Sequence, residues 1–351
     1  MIFGKKNKLV GLDIGSRTIK AGEITGTKKG YNLTKLGMVE IAPGLIEEGN
    51  ITDPEQVANA IRRLFKTYDI KEQNVAVSIG GYSVIVKKIN VQTMSEEQLQ
   101  ETIYFEAEQY IPFDISDVNI DFQILGEAEG NPNQMNVILV AAKKEMVNNY
   151  INLIQLANLT PCIIDIDAFA LQNIFEQTYG TDGENVALID IGAGKTSLNI
   201  LKGNTSVFMR DVSLGCGQIN QEIASLIQCS IEEAEQIKFE NPGDRLTPVN
   251  LQEIIASVVS DWCTEIRRAL DFFYSTYPDD QIKKIVLSGG GANIAEFRHL
   301  LAEETFAEVE PINPFANINV DMDYFDSSYI DAIAPQAAIC MGLALRKVDD
   351  K

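Results

Sequence analysis

At 351 residues the chain is longer than one hydrophobic core usually supports, so two lobes or several subdomains are expected. Hydrophobic residues at 45% and charged residues at 23% place it among folded globular proteins and argue against extensive disorder. A formal charge of −21, from 29 basic and 50 acidic residues, argues against nucleic acid or an anionic membrane surface as a direct partner.

The first elements read as a strand meander: Leu9–Ile14 and Ile19–Ile24 flank a short polar turn, and a third strand covers Tyr31–Ile41. Ahead of them, Lys5, Lys6 and Lys8 behind Ile2 and Phe3 form the one basic cluster, too short to insert in a bilayer; a surface tether and a frayed terminus both remain open. Asp53-Pro54 opens a helix carrying Val57, Ala60, Ile61, Leu64 and Phe65 at helical spacing. Strand Val75–Ile79 closes the unit. From Gly81 the pattern changes to strand (Ser83–Val91), helix (Ser95–Tyr110), strands Val118–Leu125 and Met135–Ala141, and helix Lys144–Leu159, which reads as an inserted α+β subdomain. Ser95 and Gln98 have capping-box spacing, and the polar run Gly126–Gln134 is expected to form a hairpin loop.

The opening pattern then recurs. Gly11–Ile24 (GLDIGSRTIKAGEI) and Ala187–Leu201 (ALIDIGAGKTSLNIL) share an apolar strand ending in Asp-Ile-Gly, a polar turn and an alternating strand. Two lobes built on the same hairpin, with a ligand cleft between them, follow from this repeat. Helices are expected over Gly217–Tyr277, strand Lys283–Leu287 runs into the glycine turn Ser288–Gly291, and a helix over Ala334–Arg346 closes the chain. No segment approaches the roughly 20 apolar residues that span a bilayer. The five scattered cysteines fit reduced cytoplasmic thiols, and with His299 alone, histidine chemistry has no partner set.

Each Asp-Ile-Gly turn sets a carboxylate, Asp13 or Asp190, beside a tight loop whose amides suit phosphate oxygens; the aspartates themselves suit a water-held Mg²⁺. One such turn is equally an ordinary β-hairpin, whereas two in register and a glycine-rich third turn point to nucleotide. Gly192-Ala-Gly-Lys195-Thr196 is not a P-loop, because Ile189 stands where the first glycine is required and a strand pattern follows.

These parts resemble the actin, heat-shock-chaperone and hexokinase superfamily. The resemblance implies an actin-like ATPase fold of the α/β class: two lobes of duplicated ribonuclease-H-like topology, with an α+β subdomain inserted in the first. Its expected limits are 1–80 for the first-lobe core, 81–160 for the insert, 161–186 for the rest of that core with the first connecting helix, 187–334 for the second lobe (helical part 217–277), and 335–351 for the second connecting helix. By resemblance Gly15, Ser16, Arg17 and Lys20 form the first phosphate loop. Gly192, Ala193, Gly194, Lys195 and Thr196 form the second, with Gly215 beside it, and Gly289, Gly290, Gly291 and Asn293 form the adenosine loop. Glu235 and Lys238, in an AE-x-IK helix, would meet ribose and adenine, and Arg268 with Glu265 would flank the base or form a solvated pair. Asp165 or Asp167 would orient the attacking water or cap the helix, with Asp165 in the better register. ATP and Mg²⁺ are the implied ligands, and slow hydrolysis is left open.

Within this superfamily the insert and Tyr104–Phe113 (YFEAEQYIPF), with the opening MIFGKK, resemble the PilM family of type IV pilus assembly proteins. FtsA division proteins share the relocated subdomain, but they are usually longer and end in an amphipathic helix that is not expected after Arg346. Membership in PilM implies a cytoplasmic protein at the inner face of the inner membrane through its partners, and indirect contact with other pilus proteins. It further implies that the N-terminal tail of PilN docks between the insert and the first lobe. Self-association is left open. The alternatives are an FtsA-like filament former and a small-metabolite kinase.

Overall fold

The computed structural model describes residues 8–28, 30–128, 130–180, 183–239, 245–348 and 350. Of the basic N-terminal cluster, Lys5 and Lys6 with Ile2 and Phe3 lie outside the described residues. In the first lobe β1 (Val10–Ile14) is buried at every position, as a continuous apolar run requires of a central strand. It pairs antiparallel with β2 (Thr18–Thr27), which pairs with β3 (Gly30–Glu40); a two-residue-per-strand hairpin, β4 (Ile46–Glu47) and β5 (Asn50–Ile51), follows. Helix α1 (Pro54–Thr67) begins where expected, with the Asp53 side chain accepting from the Gln56 amide at 3.0 Å and Pro54 in the first turn. Next comes β6 (Asn74–Ile79), parallel to β1.

The insert departs here: β7 (Val84–Gln92), α2 (Glu96–Glu108), β8 (Val118–Ala128) and β9 (Asn131–Lys143). Ser95 and Gln98 form the reciprocal capping box. The expected polar loop Gly126–Gln134 is instead mostly ladder. β8 and β9 remain paired up to Ala128 and Asn131, because an antiparallel ribbon is held by backbone bonds that hydrophilic side chains do not oppose. The sheet order is β7-β9-β8, and Ile89, Val91, Leu99, Ile103, Val137 and Leu139 give the insert a core of its own.

Helix α3 (Lys144–Leu156) packs elsewhere. Its Met146, Tyr150, Leu153 and Ile154 join α1 and β6 in the first-lobe core, not the insert with which its sequence position groups it. After it, β10 (Thr160–Ile166) and α4 (Asp167–Tyr179) complete the lobe.

The second lobe repeats the plan. β11 (Asn185–Ile191), β12 (Thr196–Lys202) and β13 (Thr205–Val212) form the meander. Helices α5 (Gly217–Ile227), α6 (Ile231–Phe239) and α7 (Pro248–Thr276) lead to β14 (Lys284–Ser288), α8 (Ala295–Thr305) and β15 (Glu308–Pro311). β16 (Ile318–Asn319) crosses back to pair with β3, and α9 (Ser327–Ile333) and α10 (Ala338–Ala344) end the fold. The sheets run β10-β6-β1-β2-β3-β16 and β13-β12-β11-β14-β15, so in both the third, second and first meander strands are followed by two parallel strands. The internal repeat is therefore a duplicated topology.

Helix α10 is buried at all seven positions and passes between α4 and β1. At the α4 crossing a Cβ on Gly342 would collide with the Ala170 carbonyl oxygen, and at β1 a Cβ on Gly11 would collide with that of Cys340. Backbone leaves no room for a methyl group at either point. Gly342→Ala is accordingly expected to destabilise the protein by at least about 1–3 kcal/mol, the range for overpacked cores. A thermal melt unchanged from wild type would refute that apposition.

Candidate functional site

The two hairpins have the same turn. The Gly15 amide donates to the Thr18 carbonyl at 3.1 Å, and the Gly192 amide to the Lys195 carbonyl at 2.9 Å, each two residues after its aspartate. Ser16 and Gly194 bring the tips together: a Cβ on Gly194 would lie 3.5 Å from Ser16 Oγ. The second loop is backed by Gly215, where a Cβ would press on the carbonyls of Gly192 and Ala193, and by the amides of Cys216 and Gly217 donating to those carbonyls at 3.0 and 2.8 Å. Gly289, at φ 80°, admits no side chain against the Ile191 carbonyl, which fixes the glycine turn across the end of β11. Ser288 Oγ donates to Asp190 Oδ1 at 2.5 Å.

Charged groups then span the cleft. Lys195 Nζ lies 2.6 Å from Asp167 Oδ2 at the start of α4, and 3.6 Å from Asp211 Oδ2 on β13. Asp211 also accepts from Ser197 Oγ and from the Gly81 amide, both at 2.6 Å, which ties the root of the insert to the second lobe. Arg17 reaches Glu235 on α6 and the Ile41 carbonyl. Lys20 Nζ donates to Asp13 Oδ2 at 2.9 Å.

These pairs set the electrostatics. Burial alone would lower the Lys20 and Lys195 ammonium groups, but Asp13 and Asp167 respectively outweigh it and hold both above the usual lysine range. Burial would likewise raise Asp167, and Lys195 reverses that to hold it low. Asp190 is pushed up to about 6, first by burial and then by the charges of Asp13 and Asp167, against the Ser288 hydrogen bond. Four carboxylates, Asp13, Asp167, Asp190 and Asp211, converge on the two ammonium groups of Lys20 and Lys195 and leave room for added positive charge.

The model of the family described as type IV pilus assembly protein PilM matches residues 11–348, nearly the whole chain. The chain belongs to this family. A solved PilM-PilN type IV pilus biogenesis complex is similar at 28% identity and a TM-score of 0.86, over 98% of this chain and 99% of that one. MreB5 of Spiroplasma citri bound to AMPPNP shares the actin-like fold at 12% identity and a TM-score of 0.52, over 97% of each chain. FtsA of Bacillus subtilis (strain 168) is 24% identical over 257 residues; the match spans 65% of this chain and 57% of FtsA. The FtsA alternative therefore yields to PilM. No helix among the described residues is long and apolar enough to cross a membrane.

In this PilM-family chain the expected loop residues Gly15, Ser16, Arg17, Lys20, Gly192, Ala193, Gly194 and Lys195 lie on the two facing hairpins, with Gly289 and Gly291 packed against Ile191 at the end of β11. Others face different partners. Thr196 Oγ1 is turned inward to the Leu214 carbonyl at 2.9 Å, Asn293 Nδ2 donates to the Ala332 carbonyl at 3.2 Å, and Lys238 Nζ to Asn220 Oδ1 at 2.8 Å. Arg268 pairs with Glu265 at the surface of α7. The two acidic candidates separate: Asp167 lies in the cleft, while Asp165 Oδ2 sits 3.4 Å from Arg346 Nη1 beyond α10, with burial raising its carboxyl. Asp211, Gly80 and Gly81 escape sequence reading. A Cβ on Gly80 would strike Lys195 Nζ and Asp167 Oδ2, but nothing in the local pattern near Gly80 announces the lysine it faces.

For Mg²⁺ the fit is partial. Among the described residues no group of three or more His, Cys, Asp or Glu could hold a metal directly. Asp13 and Asp190, buried and mutually repelling, suit an ion held through water and a ligand's oxygens. A stability cost follows. Asp190 binds its proton more tightly folded than unfolded, so it opposes folding increasingly as pH rises from about 4 through about 6. Asp190→Asn keeps the acceptor for Ser288 and is expected to raise the ligand-free melting temperature at pH 7.5, with a ceiling of about 3 kcal/mol. The gain should vanish toward pH 4 in paired melts, and a gain independent of pH would refute the assignment.

Proposed function

We propose that this PilM-family chain binds Mg-ATP between its lobes and the cytoplasmic N-terminal tail of PilN beside its insert. It would thereby sit at the inner face of the inner membrane through partners and couple to other pilus proteins indirectly. The observation that carries the reading is the likeness, end to end, to a protein solved as a PilM-PilN complex. For nucleotide, the support is the pair of matched hairpins facing each other over Lys195 and Asp167.

In this reading the turn amides of Ser16–Arg17 and Ala193–Gly194 cradle the phosphates, with Lys195, held by Asp167 and Asp211, the cation nearest the terminal one. Asp13 and Asp190 hold Mg²⁺ through water, and the ion supplies charge neutralisation for phosphoryl transfer when bound. Asp167, not Asp165, orients water; Asp165 holds Arg346. Glu235 takes the ribose after exchanging Arg17 for it. Arg268 keeps its surface pair with Glu265.

For the tail, β7 lies at the edge of the insert sheet, so its outer backbone groups can add a strand, the mode that gives affinity through the main chain. Exposed Tyr82, Tyr104 and Phe105 stand nearby as anchors. We place the insert's limits at about 83–143, since α3 belongs to the lobe core.

The test is calorimetric titration of the full chain with Mg-ATP and, separately, with a synthetic PilN-tail peptide. Saturable one-to-one binding of each is expected. Failure of both would overturn the proposal, and failure of one would remove that half.

A further inference from the structure

The duplicated lobes share a serine that only one of them binds in place. Where a parallel strand runs beside the hairpin strand, each lobe sets this serine next to the hairpin's aspartate. In the second lobe Ser288 on β14 is the register partner of Asp190 on β11, and its hydroxyl donates to Asp190 Oδ1 at 2.5 Å. In the first, Leu12 on β1 pairs with Val77 on β6, which brings Ser78 beside Asp13. Ser78 is 5% exposed, yet its Oγ makes no hydrogen bond. Burying a hydroxyl without a partner costs free energy, so one held at the duplicated position calls for a use.

Its acceptor follows from the way β6 faces. Val75, Val77 and Ile79 enter the core with α1, Ala76 lies on the other face, and alternation puts Ser78 and Gly80 on the side of Ala76. A Cβ on Gly80 would strike Asp167 Oδ2 and Lys195 Nζ, so this face of β6 leads to that pair. Three carboxylates border it. Asp13 is held by Lys20, and Asp165, the register partner of Ser78 on β10, by Arg346 and the Ile166 amide. The third is Asp167. Burial would raise its carboxyl, and Lys195 and then the Ser78 hydroxyl hold it low. The other ionisable groups facing Asp167 are Lys20 of β2, Asp165 of β10, Asp190 of β11 and the Tyr150 phenol of α3; of these only Lys20 favours its charge.

We propose that Ser78 is a positioning residue for hydrolysis: its hydroxyl donates to the Asp167 carboxylate and fixes its direction once a terminal phosphate shares the Lys195 ammonium. Lys195 pins the carboxylate at Oδ2, and a carboxylate held at one oxygen turns about that contact until a second donor stops it. Ser288 thus serves the aspartate on the Mg²⁺ side and Ser78 the aspartate on the water side, an assignment that rests on Asp167 orienting the water.

Single-turnover hydrolysis of Mg-ATP by the full chain tests it in wild type, Ser78→Ala, Asp167→Asn and the double variant. Ser78→Ala removes an unbonded hydroxyl and should melt no lower than wild type. It is expected to slow hydrolysis about tenfold or more, the worth of a hydrogen bond to a charged group, and to leave the half-saturating Mg-ATP concentration within about threefold. In the Asp167→Asn background the same substitution should cost less than about twofold, because the two side chains act as one unit. An equal loss in both backgrounds, the sign of a structural role, overturns the inference. So does wild-type hydrolysis by Ser78→Ala where Asp167→Asn is silent, and that outcome leaves the role of Asp167 standing. Undiminished hydrolysis by Asp167→Asn, or none by wild type, overturns both together.

Discussion

Excising Ile85–Ala141 and joining Val84 to Ala142 through an Asn-Gly turn is expected to abolish binding of the PilN tail, by at least a hundredfold or about 2.7 kcal/mol. Mg-ATP binding should stay within about threefold of wild type, under about 1 kcal/mol. The join is short, although Ile85, Val86 and Lys87 also line the pocket that holds Asp167 and Lys195. Val84 and Ala142 are register partners, and the Lys143 amide donates to the Ser83 carbonyl at 3.0 Å, so the insert enters and leaves at one place. An Asn-Gly connection is the natural closure for two antiparallel strands at that spacing. The removed piece takes its own core with it, whereas Met146, Tyr150, Leu153 and Ile154 of α3 stay in the lobe they fill. The Gly81 amide keeps its Asp211 acceptor. Titration with the tail peptide and with Mg-ATP reads both results, and tail binding that survives excision would sink the placement.

The second large effect concerns hydrolysis. Asp167→Asn is expected to lower steady-state ATP turnover by roughly 10²–10⁴, the usual contribution of a positioned acid or base, while Mg-ATP affinity changes little. Asp165→Asn should do the reverse. It keeps turnover, since Asp165 lies against Arg346 beyond α10, away from Lys195 and the phosphate loops. Asp165 has the better sequence register, but Asp167 has the lysine. If Asp165→Asn silenced turnover and Asp167→Asn did not, the assignment would be reversed.

The contrast between these aspartates shows what sequence carries and what it does not. The two Asp-Ile-Gly hairpins, the helix opened by Asp53-Pro54 and the Ser95 capping box were legible because their determinants are local: turn chemistry, caps and strand alternation within a few residues. Helix α3 was legible as a helix but not by allegiance. Periodicity identifies an apolar face without saying which core it meets, and α3 follows the insert in sequence while completing the lobe in space. The tip of the β8–β9 ribbon reads as loop because a two-stranded ladder can be polar on both faces. Contacts such as Arg17 with Glu235, 218 residues apart, and Gly81 with Asp211, 130 apart, leave no local trace at all. The cleft's residues could be named from the repeat, but their pairing across it could not.

The crossing of α4 and α10 bears on how such a molecule moves. Where Gly342 meets the Ala170 carbonyl the helices touch backbone to backbone, and Leu171 and Ile174 of α4 pack with Met341 and Leu343 of α10 in one core around that contact. Sliding and swivelling at the contact would both have to shift that packing, so the crossing is a close fit. Helices α4 and α10 are accordingly expected to keep their crossing as one unit when the cleft changes its opening. An enlarged residue at 342 would therefore part the two helices and with them the unit that α4 and α10 form.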